Sequence, residues 1–116
     1  MDDPKLTTLA KQIGDLDDLV QAVRRGTPGT QTWQRLLSEH LDEINGMMQI
    51  LRMTVVMARP DSEVRDAALA LHGSCRRTSV AMSGTRIDTT CRMAVQLALG
   101  LSQEIKLAVE SINTQT

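Results

Sequence analysis

Aromatic residues are nearly absent from this chain, which has one tryptophan, Trp33, and no tyrosine or phenylalanine. A hydrophobic core without large rings must be assembled from leucine, isoleucine, valine, methionine and alanine. Proteins that bind single-stranded nucleic acid generally stack bases on several aromatic rings. The composition therefore excludes that class of binding site.

Net charge, long apolar stretches and cysteine are also scarce. The formal net charge is −1 over 116 residues, so no overall field attracts the chain to nucleic acid or to an anionic membrane. No uninterrupted apolar run exceeds five residues, whereas a membrane helix needs about 20. The polar opening Met1–Lys5 does not resemble a signal peptide. Two cysteines in such a chain indicate a reducing, cytoplasmic environment.

Apolar residues recur every three or four positions along the chain, which is typical of helices that bury one face. Four segments of one domain, 1–116, carry this pattern, and short connections between them favour antiparallel neighbours. The sequence therefore predicts an all-α, up-down-up-down four-helix bundle. The predicted core positions are Leu6, Leu9, Ile13, Leu16, Val20 and Val23; Trp33, Leu37, His40, Ile44, Met47, Leu51 and Val55; Val64, Ala68, Leu71, Cys75, Thr78 and Met82; and Ile87, Cys91, Ala94, Ala98, Leu101, Ile105, Ala108 and Ile112.

Residues that cap helices mark several of the predicted ends. Asp3 suits the start of the first helix, and Thr30 or Thr32 the start of the second. Thr85 and Asp88 have the spacing of a capping box, which predicts that the fourth helix begins there.

A turn at Gly84 is expected between the third and fourth helices, with one alternative. A glycine costs only about 1 kcal/mol inside a helix. The two segments could therefore fuse into one long helix in a domain-swapped dimer.

The stretch 47–58, MMQILRMTVVMA, is apolar on most faces of its helix. A helix of this kind is buried on more than one side. In a small bundle only one side can face the core, so the second apolar side indicates contact with another subunit. The predicted interface residues are Met47, Met48, Ile50, Met53, Val56 and Met57. The resulting hypothesis is a small cytoplasmic interaction or regulatory module, homodimeric and able to bind a protein partner.

Arginines and hydroxyl side chains surround Gly84. Arginine guanidinium groups, together with the free N–H groups at the start of a helix, can bind an anion. The residues predicted to bind it are Arg76, Arg77, Arg86 and Thr85. The alternative function is therefore a sensor of a small anion or metabolite.

Catalytic and metal-binding patterns are missing from the sequence. His40 has Ile44 rather than a second ligand one turn later, so no helical metal pair is present. Cys75 and Cys91 continue the apolar pattern without a Cys-x-x-Cys motif, and a turn at Gly84 would set them at similar depth on facing helices. We expect buried thiols, no cofactor and no enzymatic activity.

The segment Asp61–Ser79, DSEVRDAALALHGSCRRTS, resembles the central helix of histidine phosphotransfer domains, which are four-helix bundles with the motif Ala-His-x-Leu-Lys-Gly-Ser. Four positions match: Ala68, Leu71, Gly73 and Ser74. Leu69 stands where the phosphorylated histidine belongs, and His72 takes the place of the lysine. The resemblance implies an inactive, partner-binding relative in which His72 is not phosphorylated.

Overall fold

The computed structural model describes residues 4–27 and 29–113, and all regular structure within these ranges is helical. The four helices are α1 (Pro4–Gly26), α2 (Thr32–Val56), α3 (Asp61–Ser83) and α4 (Thr89–Asn113). Each helix packs on its neighbours in sequence and α1 also packs on α4, whereas the backbones of the diagonal pairs do not approach each other closely. The bundle measures 48 × 22 × 19 Å. The predicted four-helix bundle is confirmed, and in this structure the chain turns after Ser83 instead of continuing α3 into α4 as one helix.

Polar pairs between α1 and α2 fix the antiparallel register of the first hairpin. Arg24 lies 3.0 Å from Asp42, and Arg52 lies 3.4 Å from Asp17. The earlier residue of one helix thus meets the later residue of the other. Because both pairs are open to solvent, with side chains 24–62% exposed, these contacts set the alignment of the two helices and add little stability.

The core follows the apolar periodicity of the sequence closely in α1. Its four innermost side chains are at most 2% exposed: Leu9, Ile13, Leu16 and Val20. The helix begins at Pro4, where the missing N–H of proline costs nothing. Asp3, the predicted cap, lies outside the described residues.

In α2 the buried stripe departs from the predicted one. Leu41 and Met48 are in the core, at 3% and 0% exposure, while their predicted neighbours His40 and Met47 are only half-buried. Adjacent positions on a helix differ by about 100°, and the space that the neighbouring helices leave determines which residue of each pair points inward. Met48 is therefore a core residue and not part of an exposed interface.

The start of α2 depends on glutamines instead of the predicted threonines. Gln34 Oε1 accepts hydrogen bonds from the N–H groups of Thr30 and Gln31, both at 2.9 Å. Gln31 is the N-cap, and its Oε1 accepts from Trp33 Nε1 at 2.7 Å. The prediction of Thr30 or Thr32 as the cap is wrong: Gln31 occupies the N-cap, and the Gln34 side chain reaches back to the Gln31 N–H.

The end of α2 is a Schellman motif closed by an alanine. Arg59 N–H donates to the Thr54 carbonyl at 3.0 Å, and Ala58 N–H donates to the Val55 carbonyl at 3.1 Å. This pattern requires a left-handed residue, usually glycine. Ala58 takes that conformation with φ of 52°, so the helix stops before Pro60.

The start of α4 lies later than the capping-box pattern predicts. Asp88 Oδ1 accepts from the Cys91 N–H at 2.7 Å, which makes Asp88 the cap. The Thr85 hydroxyl instead donates to the Met82 carbonyl at 2.8 Å and satisfies the end of α3. The prediction of a capping box is wrong because the Thr85 side chain is directed to α3, the helix that precedes the turn.

Candidate functional site

The outward surface of α2 carries the largest exposed side chains of the predicted interface. We define the α2 face as Gly46, Ile50, Met53, Val56 and Met57. The four side chains are 53%, 53%, 74% and 60% exposed in that order. Met47, also predicted here, is half-buried and packs against the core. The predicted interface thus consists of one core residue, one edge residue and four exposed side chains.

Charge is missing from this part of the surface. Between Gly46 and Met57 the sequence has one charged residue, Arg52, and its guanidinium is directed sideways to Asp17 on α1. The centres of protein interfaces are depleted in charged residues. Three consecutive turns of α2 have this property, which an ordinary solvated helix face does not.

Gly46 is the member of the α2 face that the sequence pattern missed. It lies in the interior of α2, where glycine costs about 0.5–1 kcal/mol relative to alanine. A Cβ built there would meet nothing within 4 Å, and Gly46 does not have a positive φ. Packing within the chain therefore gives no reason for a glycine, and an exposed glycine among apolar neighbours was the available signal.

Burial of the α2 face would yield a modest free energy. Complete burial of such a side chain is worth about 1.5–3 kcal/mol, so the exposed fractions contribute roughly 1–2 kcal/mol each. A symmetric pair of α2 faces would gain about 7–14 kcal/mol in this way. Association itself costs about 4–15 kcal/mol, so the face supports a weak complex.

The four residues predicted to bind an anion do not converge. Arg77 forms an ion pair with Glu43 on α2 at 2.9 Å, and that pair lowers the pKa of the Glu43 carboxyl. Arg76 lines a shallow groove beside His40 in the middle of the bundle. Arg86 lines a different groove at the end of the bundle. Six residues of helix, or about 9 Å, separate Arg77 from the end of α3.

The hydroxyl and backbone donors near Gly84 also have partners within the chain. The Thr85 hydroxyl is bonded to the end of α3, and the Thr30 hydroxyl across the groove donates to Gln34 at 3.0 Å. The Asp88 carboxylate occupies the N-terminus of α4 through Cys91. An anion at this place would compete with a carboxylate of the chain itself.

The two thiols differ in burial and in their position along the bundle axis. Burial raises the pKa of the Cys75 thiol to about 11, and burial beside Asp88 raises the pKa of the half-buried Cys91. Cys75 is eight residues before the end of α3 and Cys91 two after the start of α4, so roughly 9 Å separates them along the bundle. A disulfide needs Cα atoms within about 7 Å. The expectation that the two cysteines lie level with each other on facing helices is wrong, because the turn is centred near Arg86 and not at Gly84.

The positions of the phosphotransfer-like motif are divided between core and surface. Leu69, at the place of the phosphorylated histidine, is 43% exposed, whereas Ser74 is fully buried. His72 lies toward α4, where burial and the charges of Lys106 and Arg76 lower the pKa of its imidazole.

Comparison with protein-family models, curated proteins and solved structures finds no significant match to this chain. Within residues 4–27 and 29–113, no group of three or more His, Cys, Asp or Glu side chains could hold a metal ion. None of the described helices is long and apolar enough to cross a membrane.

Proposed function

We propose that this protein is a non-catalytic cytoplasmic interaction module that forms a homodimer through the α2 face. One observation carries the proposal: three exposed turns of α2, whose one charged residue Arg52 is directed to α1, begin at a glycine that packing within the chain does not need. Met53 lies at the centre of this surface, and both ends of it are apolar.

A second copy fits the α2 face because the face is complementary to itself. Two antiparallel α2 helices related by an axis between Ile50 and Met53 would place Ile50 of one copy against Met53 of the other. The same axis would set Met57 over Gly46, where the open space above the glycine accepts a long side chain. A two-fold interface of this kind brings the same patch together from both subunits.

The balance of burial and association cost predicts a dimer with a dissociation constant in the micromolar range or weaker. Such a complex exchanges readily, which suits a regulatory module whose partner displaces the second copy.

Sedimentation velocity across a micromolar concentration series tests the proposal. The mass should rise with concentration toward a dimer or beyond, and Met53→Glu should abolish this step because it would place a charge in the buried centre. Val80→Glu is the matched control, since Val80 is 74% exposed on α3 and outside the α2 face. A monomeric mass throughout, or equal effects of the two substitutions, would contradict the proposal.

A further inference from the structure

The methionine thioethers of this chain are divided sharply between core and solvent. Within the described residues, three methionines are more than half exposed: Met53 at 53%, Met57 at 60% and Met93 at 67%. Met48 and Met82 are buried, at 0% and 2% exposure. Two of the three thioethers that are open to solvent therefore belong to the α2 face.

The two thiols of the chain are less open to an oxidant. Cysteine reacts as its thiolate. Burial raises the pKa of the Cys75 thiol to about 11, and burial together with Asp88 raises the pKa of the half-buried Cys91. Both thiols are therefore protonated at neutral pH. The thioether of methionine has no proton to lose, so its oxidation depends on exposure.

Oxidation of Met53 or Met57 would change the chemistry of the α2 face. The product, methionine sulfoxide, is a polar side chain and disrupts contacts that methionine makes as an apolar group. In the antiparallel pair of α2 helices, Met53 faces Ile50 of the other copy and Met57 lies over Gly46. Neither Ile50 nor Gly46 has a side-chain donor that could satisfy the sulfoxide oxygen.

The polar side chains of α2 next to Met53 are already engaged within the chain. The Thr54 hydroxyl donates to the Leu51 carbonyl at 2.7 Å. The Arg52 guanidinium is directed to Asp17 on α1. A sulfoxide at the centre of the pair would therefore be buried without a hydrogen bond, which is unfavourable.

We propose that Met53 and Met57 are oxidation sites, and that their conversion to sulfoxides by hydrogen peroxide dissociates the α2 pair. The inference rests on the proposed homodimer and adds its regulation. In the reaction a sulfur lone pair attacks one peroxide oxygen and the O–O bond breaks. The second oxygen takes up the proton of the first and leaves as water. Sulfur loses two electrons and the peroxide gains them.

The weakness of the pair makes the two sites accessible. Met53 is covered in the dimer and exposed in the monomer, and a micromolar dissociation constant keeps monomer present. The oxidant therefore reacts with the monomer, and the sulfoxide opposes its return to the dimer. Self-association should correspondingly slow the oxidation of Met53 and Met57 as protein concentration rises, while Met93 on α4 should be oxidised at a constant rate.

Oxidation of Met53 should raise the dissociation constant of the pair at least tenfold. A tenfold change corresponds to about 1.4 kcal/mol, which lies within the penalty for a buried acceptor that has no donor. The two-fold axis brings the same patch together from both copies, so each dimer contains two such sites.

The first experiment measures mass by sedimentation velocity before and after treatment with hydrogen peroxide. It compares three proteins in a Cys91→Ala background, which removes the more accessible thiol: the unchanged sequence, the double variant Met53→Leu with Met57→Leu, and Met93→Leu. Leucine keeps the surface apolar without sulfur, so all three should dimerise before treatment. Peroxide should dissociate the first and third proteins and leave the double variant dimeric.

Two further measurements establish where the oxygen has been added and whether the bundle is intact. Peptide mapping by mass spectrometry should find sulfoxide at Met53, Met57 and Met93 but not at Met48 or Met82. Circular dichroism should show the same helix content before and after treatment. Sulfoxide reductases for the two epimers, supplied with dithiothreitol, should restore the dimer. In that step the sulfoxide oxygen leaves as water and the dithiol becomes a disulfide.

The outcomes separate this inference from the proposed function. A protein that is monomeric at every concentration before oxidation would contradict the homodimer, and the inference with it. A dimer that persists with sulfoxide mapped at Met53 would overturn the inference alone. So would the absence of sulfoxide at Met53, dissociation of the double variant by peroxide, or a loss of helix content that the reductases do not reverse.

Discussion

Ala58→Gly should stabilise this protein. Ala58 closes α2 with φ of 52°, a conformation that costs a residue with a Cβ about 1–2 kcal/mol. Glycine adopts it freely, but its greater freedom in the unfolded chain takes back about 0.4–1 kcal/mol. The net gain in the free energy of unfolding is therefore about 0.5–1 kcal/mol.

The expected change in melting temperature follows from the length of the chain. Unfolding entropy is about 2.1 cal/mol/K per residue, so in a chain of 116 residues each 1 kcal/mol moves Tm by about 4 °C. Ala58→Gly should raise Tm by about 2–4 °C. Thermal unfolding followed by circular dichroism, at one fixed protein concentration, measures this shift.

Two other glycines provide the controls. Gly29 has φ of 74°, so Gly29→Ala should lower Tm by a similar amount. Gly84, beside the other turn, has φ of −96°, and Gly84→Ala should therefore escape this penalty. A lower Tm for Ala58→Gly, or no loss for Gly29→Ala, would refute the assignment of backbone strain to the end of α2.

Other changes address the thiols, one histidine and the α2 face. Cys91 should react with a thiol reagent much faster than Cys75 in the native protein, and equal rates in a mass-spectrometric time course would contradict their different burial. The lowered pKa of His72 means that the unfolded chain takes up a proton first, so stability should fall as the pH drops below about 6.5. In urea titrations His72→Gln should lose this part of the pH dependence. Gly46→Ala should raise the stability of the monomer by about 0.5–1 kcal/mol while weakening dimerisation, and a stronger dimer by sedimentation would argue against the α2 contact.

Apolar periodicity was sufficient to predict the number of helices, their order and most of the core. It did so because nearly every core contact involves aliphatic side chains at helical spacing, as Leu9 and Leu16 illustrate. The error at Met48 arose where two apolar residues stand side by side. Periodicity alone does not say which of the two points inward, since that depends on the space that the neighbouring helices leave.

The details at helix ends and near Gly84 depend on three-dimensional contacts. Asp88 and not Thr85 caps α4, because the Thr85 hydroxyl is bonded to the Met82 carbonyl at the end of α3. Arg77 is bound by Glu43, which lies more than thirty residues away in sequence. Pairings of that kind have no local signature in the sequence. Arginines that are close in sequence therefore line two separate grooves in the structure.

The single tryptophan has a practical consequence. Trp33 is 9% exposed and its indole N–H is bonded to Gln31, and no tyrosine or phenylalanine adds to its signal. Fluorescence from this chain therefore reports on one place, the end of the bundle where α2 begins, while circular dichroism reports on all four helices. Comparing the two during denaturation shows whether that end loosens before the rest or together with it. Labels are unnecessary for this measurement, because the sequence already supplies one emitter at a defined position.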